Sequence, residues 1–434
     1  MFSAKIGLIG FGTIGGGVAD ILIKKRDFWK KTLGIDVELK TIVDTDVTSD
    51  RGVDISTVKL SNNYKELIED SEITTIVELV GGYGFAKDFV IESLKAGKNI
   101  VTANKALIAT YGDEIYSAAK EGNADLYYDA AVAGGIPIIK AVKESLHANT
   151  VTSIHGIING TCNYILTEME KNGLSFEKAL KQAQDLGFAE LDPTFDIEGV
   201  DTGHKIAILS SLASWSNVKA GSFFVEGISK ITSEDIENAK ELGYKIKLLA
   251  IYRDLGNDKI EVRVHPTMIP QNSSLAVIDG AFNAVKVIGD SVEELLFTGK
   301  GAGRYPTASA VVSDVIDIVK NEEFSAKRRV MPEFESTEIS KIIVDKEEFE
   351  SEYYLKFVTA DKVGVISSIS SILGENGVSI KSIRQNKPDS CEDSAHVVIL
   401  THKTKEGIIQ KSMKEFEKLS FLKGETQLIR VEEM

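Results

Sequence analysis

Apolar runs and amphipathic stretches alternate regularly through the first part of the chain. An apolar run at 4–10 passes through a glycine turn into a helix-like stretch, and further runs at 37–44, 74–82 and 98–108 alternate with helical segments. Short apolar runs that alternate with helical patterns are typical of parallel strands joined by helices. This part of the chain therefore predicts a parallel sheet with ligand groups at the carboxyl ends of its strands.

The pattern changes in the second half. An apolar stretch after Lys205 predicts a buried helix, four strand-like segments follow, and a glycine loop leads into a long amphipathic helix at 304–320. A charge-rich stretch then precedes a strand-helix-strand-strand-helix-strand succession, the ferredoxin-like order. We predict an α/β protein with a Rossmann-like dinucleotide-binding domain (1–136, with return helix 304–320), an α+β substrate-binding, catalytic and dimerisation domain (137–303), a linker (321–350) and a C-terminal βαββαβ domain (351–434).

The first turn carries the motif GFGTIG between a predicted strand and a predicted helix. In that setting Gly10 permits a tight turn, Gly12 lets the backbone approach a pyrophosphate, and Gly15 allows close packing of helix on strand. Thr13 and Ile14 then offer main-chain N–H groups at the helix start. The motif predicts a dinucleotide site, and the alternative is a glycine turn without a ligand.

The end of the second predicted strand bears on the choice of coenzyme. An acidic residue there holds the ribose 2′-hydroxyl of NAD, whereas arginine accommodates the 2′-phosphate of NADP. Asp44 occupies this position and favours NAD. Arg51 follows a few residues later and is able to reach a phosphate, so NADP stays open.

The stretch ELDPTFDIEGVDTGHK, residues 190–205, is the strongest candidate for an active site. Glu190, Asp196 and Asp201 supply carboxylates, and Lys205 lies one turn after Asp201 at the head of the apolar helix. A lysine inside a buried helix needs a partner or a function. The alternative is a polar loop with Asp201 as a helix cap and an exposed ion pair.

Three further positions follow from the predicted topology. Lys105 begins a predicted helix directly after a strand end, where it is a candidate for contact with the coenzyme or the substrate. The alternative is a solvated lysine at the start of a helix. Gly303, in a second glycine loop, is expected to return to the dinucleotide. The turn at Asp129 offers oxygen ligands for a hard monovalent cation, although the residues by themselves favour an ordinary strand–helix turn.

Composition narrows the class of protein. The 434 residues carry 65 acidic and 50 basic side chains, a net charge of −15, which disfavours nucleic acid and anionic membranes as partners. Two cysteines, Cys162 and Cys391, form no metal-binding or disulfide pattern. No apolar run approaches the length of about 18 residues that a membrane helix needs, and no signal peptide is evident. We expect a cytoplasmic protein.

Several long motifs resemble the homoserine dehydrogenase family of the bacterial type with a C-terminal ACT domain. They are GFGTIGGG, ELVGG, VTANKALIA, AAVAGGIPIIKA, NGTCNYIL, GFAELDPTFDIEGVDTGHKIAIL and GKGAGRYPTASAVVSD, and together they span nearly the whole chain. The resemblance implies interconversion of L-homoserine and L-aspartate 4-semialdehyde with NAD or NADP, in threonine and methionine biosynthesis. It also implies the monofunctional form, a homodimer or homotetramer, and threonine as effector of the ACT domain.

The resemblance also implies roles for individual residues. Lys205 is the catalytic acid/base, Lys105 assists it, and Glu190 and Asp201 hold the amino acid. Thr13, Ile14, Gly187 and Gly303 contact the coenzyme, and Asp129, Val132, Gly134 and Ile136 bind sodium. The family usually has glutamate where Asp129 stands, so the sodium site departs from the family pattern. Asp361 and Gly364, at the start of a helix in the ACT domain, are candidate effector contacts.

Two alternatives come from other classes of protein. A sensor would combine a dinucleotide fold with an amino-acid-binding domain and would need no acid/base lysine. A thioester-forming aldehyde dehydrogenase would need a nucleophilic cysteine, for which Cys162 is the candidate.

Overall fold

A parallel sheet forms the first domain of the protein, for which a computed structural model describes residues 2–323, 340–386 and 393–433. Its strands are β1 (Phe2–Ile9), β2 (Ile35–Val43), β3 (Lys59–Ser61), β4 (Ile73–Glu78), β5 (Asn99–Thr102) and β6 (Leu126–Tyr127). Its helices are α1 (Thr13–Leu33), α2 (Lys65–Glu69), α3 (Gly84–Lys95) and α4 (Lys105–Glu121). The strand order is β3-β2-β1-β4-β5-β6, the arrangement of a Rossmann-like sheet.

The glycine turn after β1 is fixed by close approaches of the backbone. Gly10 has φ +92°, and a Cβ atom there would lie 2.6 Å from the main chain of Leu79. A Cβ atom at Gly15 would lie 2.0 Å from the carbonyl oxygen of Gly10. Both positions therefore accept only glycine, which explains the predicted spacing.

The second domain is built on an extended sheet. Its strands are β7 (Val151–Ile157), β8 (Phe224–Val225), β9 (Tyr244–Gly256), β10 (Lys259–Pro270), β11 (Phe282–Gly289) and β12 (Glu293–Lys300). Its helices are α5 (Ile138–Lys140), which continues as a π-helical turn, α6 (Gly160–Asn172), α7 (Phe176–Asp185), α8 (Thr194–Ile197), α9 (Val200–Ser214) and α10 (Ser233–Glu241). Helix α11 (Arg304–Glu323) returns to the first domain and packs its apolar face against α1.

The C-terminal part has the predicted βαββαβ order. Its strands are β13 (Ile342–Ile343), β14 (Glu350–Ala360), β15 (Ile380–Asn386), β16 (Ser394–Thr401), β17 (Thr404–Lys405) and β18 (Gln427–Val431), and its helices are α12 (Val365–Glu375) and α13 (Glu406–Phe416). Strands β18, β14, β16 and β15 form its sheet in that order. The last strand, β18, also pairs in parallel with β10, so one sheet of twelve strands continues from the second domain into the third.

A buried ionic cluster, which we call the junction cluster, surrounds the contact between β10 and β18. The Nε and Nη2 atoms of Arg430 donate to the two carboxylate oxygens of Glu406 at 2.8 and 2.5 Å, and Nη1 donates to Glu226 at 2.7 Å. Arg263 donates to Glu261 at 2.8 Å and to Glu432. Arg263 and Arg430 are both almost fully buried, so each is held by carboxylates from more than one part of the chain.

Two expectations from the sequence need correction. Asp201 does not cap α9, because Gly199 occupies the cap position and Asp201 lies in the first turn, where lysine ammonium groups bind its carboxylate. The stretch predicted as a linker, 321–350, contains the end of α11 and all of β13. The two isoleucines of β13 pair in parallel with Lys259 and Ile260 of β10 and so add a short strand to that sheet. Residues 324–339 lie outside the described part. None of the described helices is both long and apolar enough to span a bilayer.

Candidate active site

A buried lysine stands near the start of α9. The Nζ atom of Lys205 donates to the Asp201 carboxylate at 2.7 Å and to the main-chain carbonyl of Ile158 at 2.7 Å. The helix that carries it is buried along nearly its whole length, because the residues after Lys205 are small and apolar. An ammonium group has three N–H donors, so two protein acceptors leave one donor for a ligand.

Asn159 connects the segments that surround this lysine. Its Oδ1 atom accepts from the N–H of Cys162 and caps α6, while Nδ2 donates to Asp201 at 2.9 Å and to Asp196 at 2.7 Å. The sequence analysis missed Asn159. Asparagine before a helix is a favoured cap, but that local signal does not show that the amide faces two distant carboxylates.

Lys105 reaches the same carboxylate from the first domain. Its Nζ atom lies 3.1 Å from the second oxygen of Asp201, and about one third of its side chain is exposed. Asn104 caps α4 by accepting from the N–H of Leu107, and it donates to the carbonyl of Gly82 at 2.8 Å. The structure thus brings Lys205, Asp201 and Lys105 together from two domains.

Glu78 is a second residue that sequence reasoning missed. It ends β4, is fully buried, and accepts hydrogen bonds from the Thr102 hydroxyl at 2.7 Å and the Val80 N–H at 2.8 Å. Burial raises the pKa of Glu78. The carboxyl group ties the ELVGG turn to the strand end that precedes Lys105, and therefore helps to place that lysine.

The carboxyl groups beside Lys205 differ in their electrostatic environment. Burial opposes ionisation of Asp201, but the ammonium groups of Lys205 and Lys105 more than offset this effect and lower its pKa to about 2. The half-buried Asp196 instead has a raised pKa, mainly because of burial. Burial likewise lowers the pKa of His204, the residue before Lys205. Asp201 is therefore an anion at neutral pH, shared by two cations.

The predicted dinucleotide loop has open space at Gly12 and free main-chain N–H groups at the start of α1. Gly12 precedes α1, and a Cβ atom placed there would meet no atom within 4 Å. Thr13 and Ile14 begin the helix, where N–H groups lack partners inside the helix. Asp44 follows β2, and its carboxylate accepts from the main-chain N–H groups of Phe11 and Asp46. The acidic side chain therefore lies beside the glycine turn.

The remaining predicted contacts lie on loops. Gly187 follows α7 with φ +75°, and Gly303 precedes α11 with φ +128°. Glu190 is exposed between α7 and α8, and its main-chain carbonyl accepts from the Gln184 side chain at 3.1 Å. Among the described residues, no hydrogen bond or ion pair joins the Glu190 carboxylate to Asp201, Asp196 or Lys205. Its part in substrate binding stays a prediction.

The predicted sodium ligands, Asp129, Val132, Gly134 and Ile136, lie on the turn between β6 and α5. The buried Asp129 carboxylate accepts from the main-chain N–H of Lys140 at 3.0 Å, and the Ile136 carbonyl accepts from the N–H of Ile138 at 2.7 Å. The turn offers oxygen atoms, which suit a hard cation, but two of them already accept hydrogen bonds. The residues fit a cation only in part, and no catalytic step is assigned to one.

Cys162 lies close to the cluster without the character of a nucleophile. It is fully buried, its thiol donates to the main-chain carbonyl of Asp196 at 3.2 Å, and burial raises its pKa far above the ordinary value. A nucleophilic cysteine needs thiolate character. The structure therefore argues against the thioester-forming alternative.

The candidate effector contacts lie in the C-terminal domain. Asp361 and Gly364 are on the exposed turn between β14 and α12, and Gly364 caps α12 with φ +93°. Both residues stay candidate effector contacts.

A parallel sheet with a glycine loop, facing a buried lysine from a second domain, defines a dinucleotide-dependent oxidoreductase. Family models support this class: residues 10–129 match "Homoserine dehydrogenase, NAD binding domain", residues 137–316 match "Homoserine dehydrogenase" and residues 353–421 match "ACT domain". The chain belongs to the homoserine dehydrogenase family, as its motifs predict, and has the enzyme activity of that family.

Individual relatives agree over the full length. A homoserine dehydrogenase of Neisseria gonorrhoeae is 43% identical, with 100% of both chains covered. The crystal structure of a homoserine dehydrogenase from Thiobacillus denitrificans has a TM-score of 0.92 at 38% identity, covering 99% of this chain and 98% of that one. A hyperthermophilic archaeal homoserine dehydrogenase in complex with NADPH has a TM-score of 0.62 at 25% identity, covering 73% and 97%.

Proposed function

We propose that the protein interconverts L-homoserine and L-aspartate 4-semialdehyde, with Lys205 as the acid/base. The observation that carries this proposal is the buried Lys205 ammonium, which is held by Asp201 and the Ile158 carbonyl and has one N–H donor left. The archaeal relative bound to NADPH supports a nicotinamide coenzyme. When bound, the nicotinamide supplies or accepts the hydride.

Residues of the protein stabilise the charge on the reacting oxygen and transfer its proton. During reduction of the aldehyde, negative charge develops on that oxygen. The free donor of Lys205 stabilises this charge and then supplies the proton, so one group provides both electrostatic and general-acid catalysis. During oxidation of the alcohol, the same nitrogen receives the proton. Asp201 and the Ile158 carbonyl keep the ammonium in position.

The carboxylates bind the other end of the substrate. A zwitterionic amino acid carries an ammonium group, which needs acceptors in a buried site. Asp201 and Asp196 lie near each other, because the Asn159 amide nitrogen donates to both of them. Glu190 lies on the exposed segment just before α8, and we assign it to the same ammonium group.

Lys105 completes the site from the coenzyme side. Its ammonium group lies 3.1 Å from the Asp201 carboxylate. The residue itself is the first of α4, just after strand β5 of the dinucleotide-binding domain. We assign it to the space between the two ligands, where it assists Lys205 by adding positive charge near the developing oxyanion. The glycine loop with Thr13 and Ile14, together with Gly187 and Gly303, is assigned to the coenzyme.

The ACT domain is assigned to regulation by an amino acid, with threonine as the proposed effector. The continuous sheet supports such coupling, because β18 pairs with β10 and α9 packs against β10. A shift of the C-terminal domain therefore has a direct physical route to the helix that carries Lys205.

The deciding experiment is oxidation of L-homoserine by the purified full-length protein, with NAD and NADP compared, in the presence and absence of threonine. Reduction of either coenzyme establishes the reaction, and the ratio of rates measures coenzyme preference. Inhibition by threonine assigns the effector. A protein that binds coenzyme without oxidising homoserine would instead be a dinucleotide- and amino-acid-binding sensor.

A further inference from the structure

A single side-chain amide lies between two of the carboxylates that we assign to the substrate. Asn159 is buried between the end of β7 and the start of α6. Its Nδ2 atom donates to Oδ1 of Asp196 at 2.7 Å and to Oδ2 of Asp201 at 2.9 Å. Both N–H bonds of the amide are therefore used by carboxylates.

The helix cap fixes the orientation of this amide. Oδ1 of Asn159 accepts from the main-chain N–H of Cys162 at 2.8 Å, and in an amide only the oxygen accepts. With its oxygen at the helix start, the amide turns its nitrogen towards the carboxylates. The reverse orientation would oppose donor to donor at the helix and acceptor to acceptor at both carboxylates, which is costly in a buried position.

The same turn also holds the lysine. The carbonyl of Ile158, the residue before Asn159, accepts from Nζ of Lys205 at 2.7 Å. Nζ of Lys205 also donates to Oδ2 of Asp201 at 2.7 Å, the same oxygen that accepts from Asn159. Residues 158 and 159 therefore contact the proposed acid/base and both carboxylates.

Asp196 depends on Asn159 more than Asp201 does. Within the described part of the chain, no other hydrogen bond or ion pair reaches the Asp196 carboxylate, whereas Asp201 also binds Lys205 and Lys105. Burial raises the pKa of Asp196, the hydrogen bond from Asn159 lowers it, and the charge of Asp201 raises it further. Loss of the amide would therefore favour the protonated form of Asp196, while Asp201 would stay ionised.

The other titratable groups near Asp196 come from three elements. They are Asp201 and Lys205 on α9, Lys105 on α4 and the Cys162 thiol on α6. Burial keeps the thiol protonated. The two ammonium groups favour the Asp196 anion, but both are bound to Asp201. Asn159 is therefore the group that stabilises the Asp196 anion by direct contact.

We propose that Asn159 is a positioning residue of the reaction: its two hydrogen bonds hold Asp196 and Asp201 side by side as anions that accept the ammonium group of the amino acid. The inference rests on the proposed function, in which these carboxylates bind the substrate. Without the amide, Asp196 holds a proton at a pH where it has to be charged. Asn159 therefore sets how far into acid the enzyme keeps its activity on homoserine.

The test is the pH dependence of kcat/KM for L-homoserine in the parent and in Asn159→Ser. Serine caps a helix as well as asparagine does, but its side chain is too short to reach the carboxylates. The acid limb of the profile should move to higher pH, because a hydrogen bond that favours the ionised carboxylate is lost. On that limb kcat/KM should fall by about tenfold to a hundredfold, and the difference should shrink as the pH rises.

Further variants separate positioning from capping. Asn159→Asp keeps the cap but replaces both donors with an acceptor, so its acid limb should move further. Asp196→Asn removes the group that titrates, so adding Asn159→Ser to it should leave the limb of the single variant in place. Asn172→Ser is the matched control, because it removes an exposed amide that donates to Glu168 from the same helix, and it should keep the parent profile.

The contrary results are equally definite. A fall in kcat/KM that is equal at every pH, or a limb that still moves in the Asp196→Asn background, would overturn the proposal. A variant that is less stable but has the parent profile would make Asn159 only a helix cap.

A second measurement is independent of turnover. Carbon-13 NMR of the full-length protein follows the Asp196 carboxyl, whose signal is assigned by its absence in Asp196→Asn. This carboxyl should titrate at higher pH in Asn159→Ser than in the parent, and an unchanged titration would refute the inference. If the parent did not oxidise homoserine, the proposed function would fail, and the NMR titration would still decide whether Asn159 keeps Asp196 ionised.

Discussion

The active-site cluster and the junction cluster are built from the same kinds of groups but differ in charge balance. At the junction, Arg430 meets both oxygens of Glu406 and one of Glu226, so carboxylates satisfy its guanidinium group. In the active site, the Asp201 carboxylate is shared by Lys205 and Lys105. The first arrangement is complete without a ligand, whereas in the second Lys205 has two protein acceptors and one N–H donor left for a ligand.

The difference separates a structural role from a catalytic one. A buried ion pair contributes little net stability, but removing one partner leaves an uncompensated charge and is strongly destabilising. In the active site, Asp201 keeps Lys105 and Asn159 as partners when Lys205 is removed, so its charge stays compensated. We therefore expect changes at the junction to act on stability and changes at Lys205 to act on turnover.

The largest effect is expected from Lys205→Met. Loss of the proton donor should lower kcat by about a hundredfold to ten-thousandfold, with coenzyme affinity and unfolding free energy nearly unchanged, because Asp201 keeps Lys105 and Asn159 as partners. Steady-state kinetics and urea unfolding measure the two effects. Lys181→Met, at an exposed position on α7, is the control. Turnover close to that of the parent would remove Lys205 from the mechanism.

Arg430→Met should lower the stability of the protein and leave its turnover nearly unchanged, the opposite of Lys205→Met. It leaves the buried carboxylate of Glu406 without its cation, so the free energy of unfolding should fall by about 3–5 kcal/mol, while kcat per folded molecule stays close to the parent value. Arg384→Met removes an arginine from an exposed pair with Glu241, and should cost no more than about 1 kcal/mol. If both variants cost the same, the junction cluster would not be a structural element.

Glu432→Gln tests the junction through pH. Burial opposes ionisation of Glu432, but Arg263 and Arg253 more than offset it and lower its pKa below the ordinary 4.5. A carboxyl with a lowered folded-state pKa stabilises the protein above the unfolded-state pKa, and this contribution is lost as the pH falls. The variant should therefore be less stable than the parent at neutral pH, with a gap that narrows below about pH 4.5. Urea midpoints across this range measure it, and a gap that widens in acid would contradict the assignment.

The smallest effect is expected from Cys162→Ser. The serine hydroxyl still donates to the Asp196 carbonyl, and the thiol is protonated because of its burial, so kcat should hardly change. Placing a hydroxyl in a fully buried position should reduce stability by on the order of 1 kcal/mol. Homoserine oxidation by the variant is the measurement. A large loss of turnover in a folded variant would revive the thioester alternative.

Local signals in the sequence predicted much of the fold. Gly10, Gly12 and Gly15 belong to one short motif, so their spacing is visible in a few residues, although Gly10 lies against the main chain of the distant Leu79. The strand and helix order follows from apolar periodicity in the same way. The candidate site was found because Asp201 and Lys205 are one helical turn apart.

Residues that act over long distances were not predicted. Asn159 meets Asp201 across 42 positions, and Glu78 meets Thr102 across 24. The alternative in which Asp201 caps α9 is wrong, because Gly199 occupies the cap position and the Asp201 carboxylate binds Lys205 and Lys105. A sequence pattern shows which groups are available, but it does not show which of them share one cavity.

The sequence by itself determined the family, the order of the elements and the identity of the buried lysine, because each depends on neighbours along the chain. The tertiary structure decided the rest. It placed β18 beside β10, gave Asp201 two cations, and brought Asn159 within hydrogen-bond distance of Asp196. The physical reason is that ion pairs and hydrogen bonds form between groups that are close in space. Folding brings such groups together from distant parts of the chain.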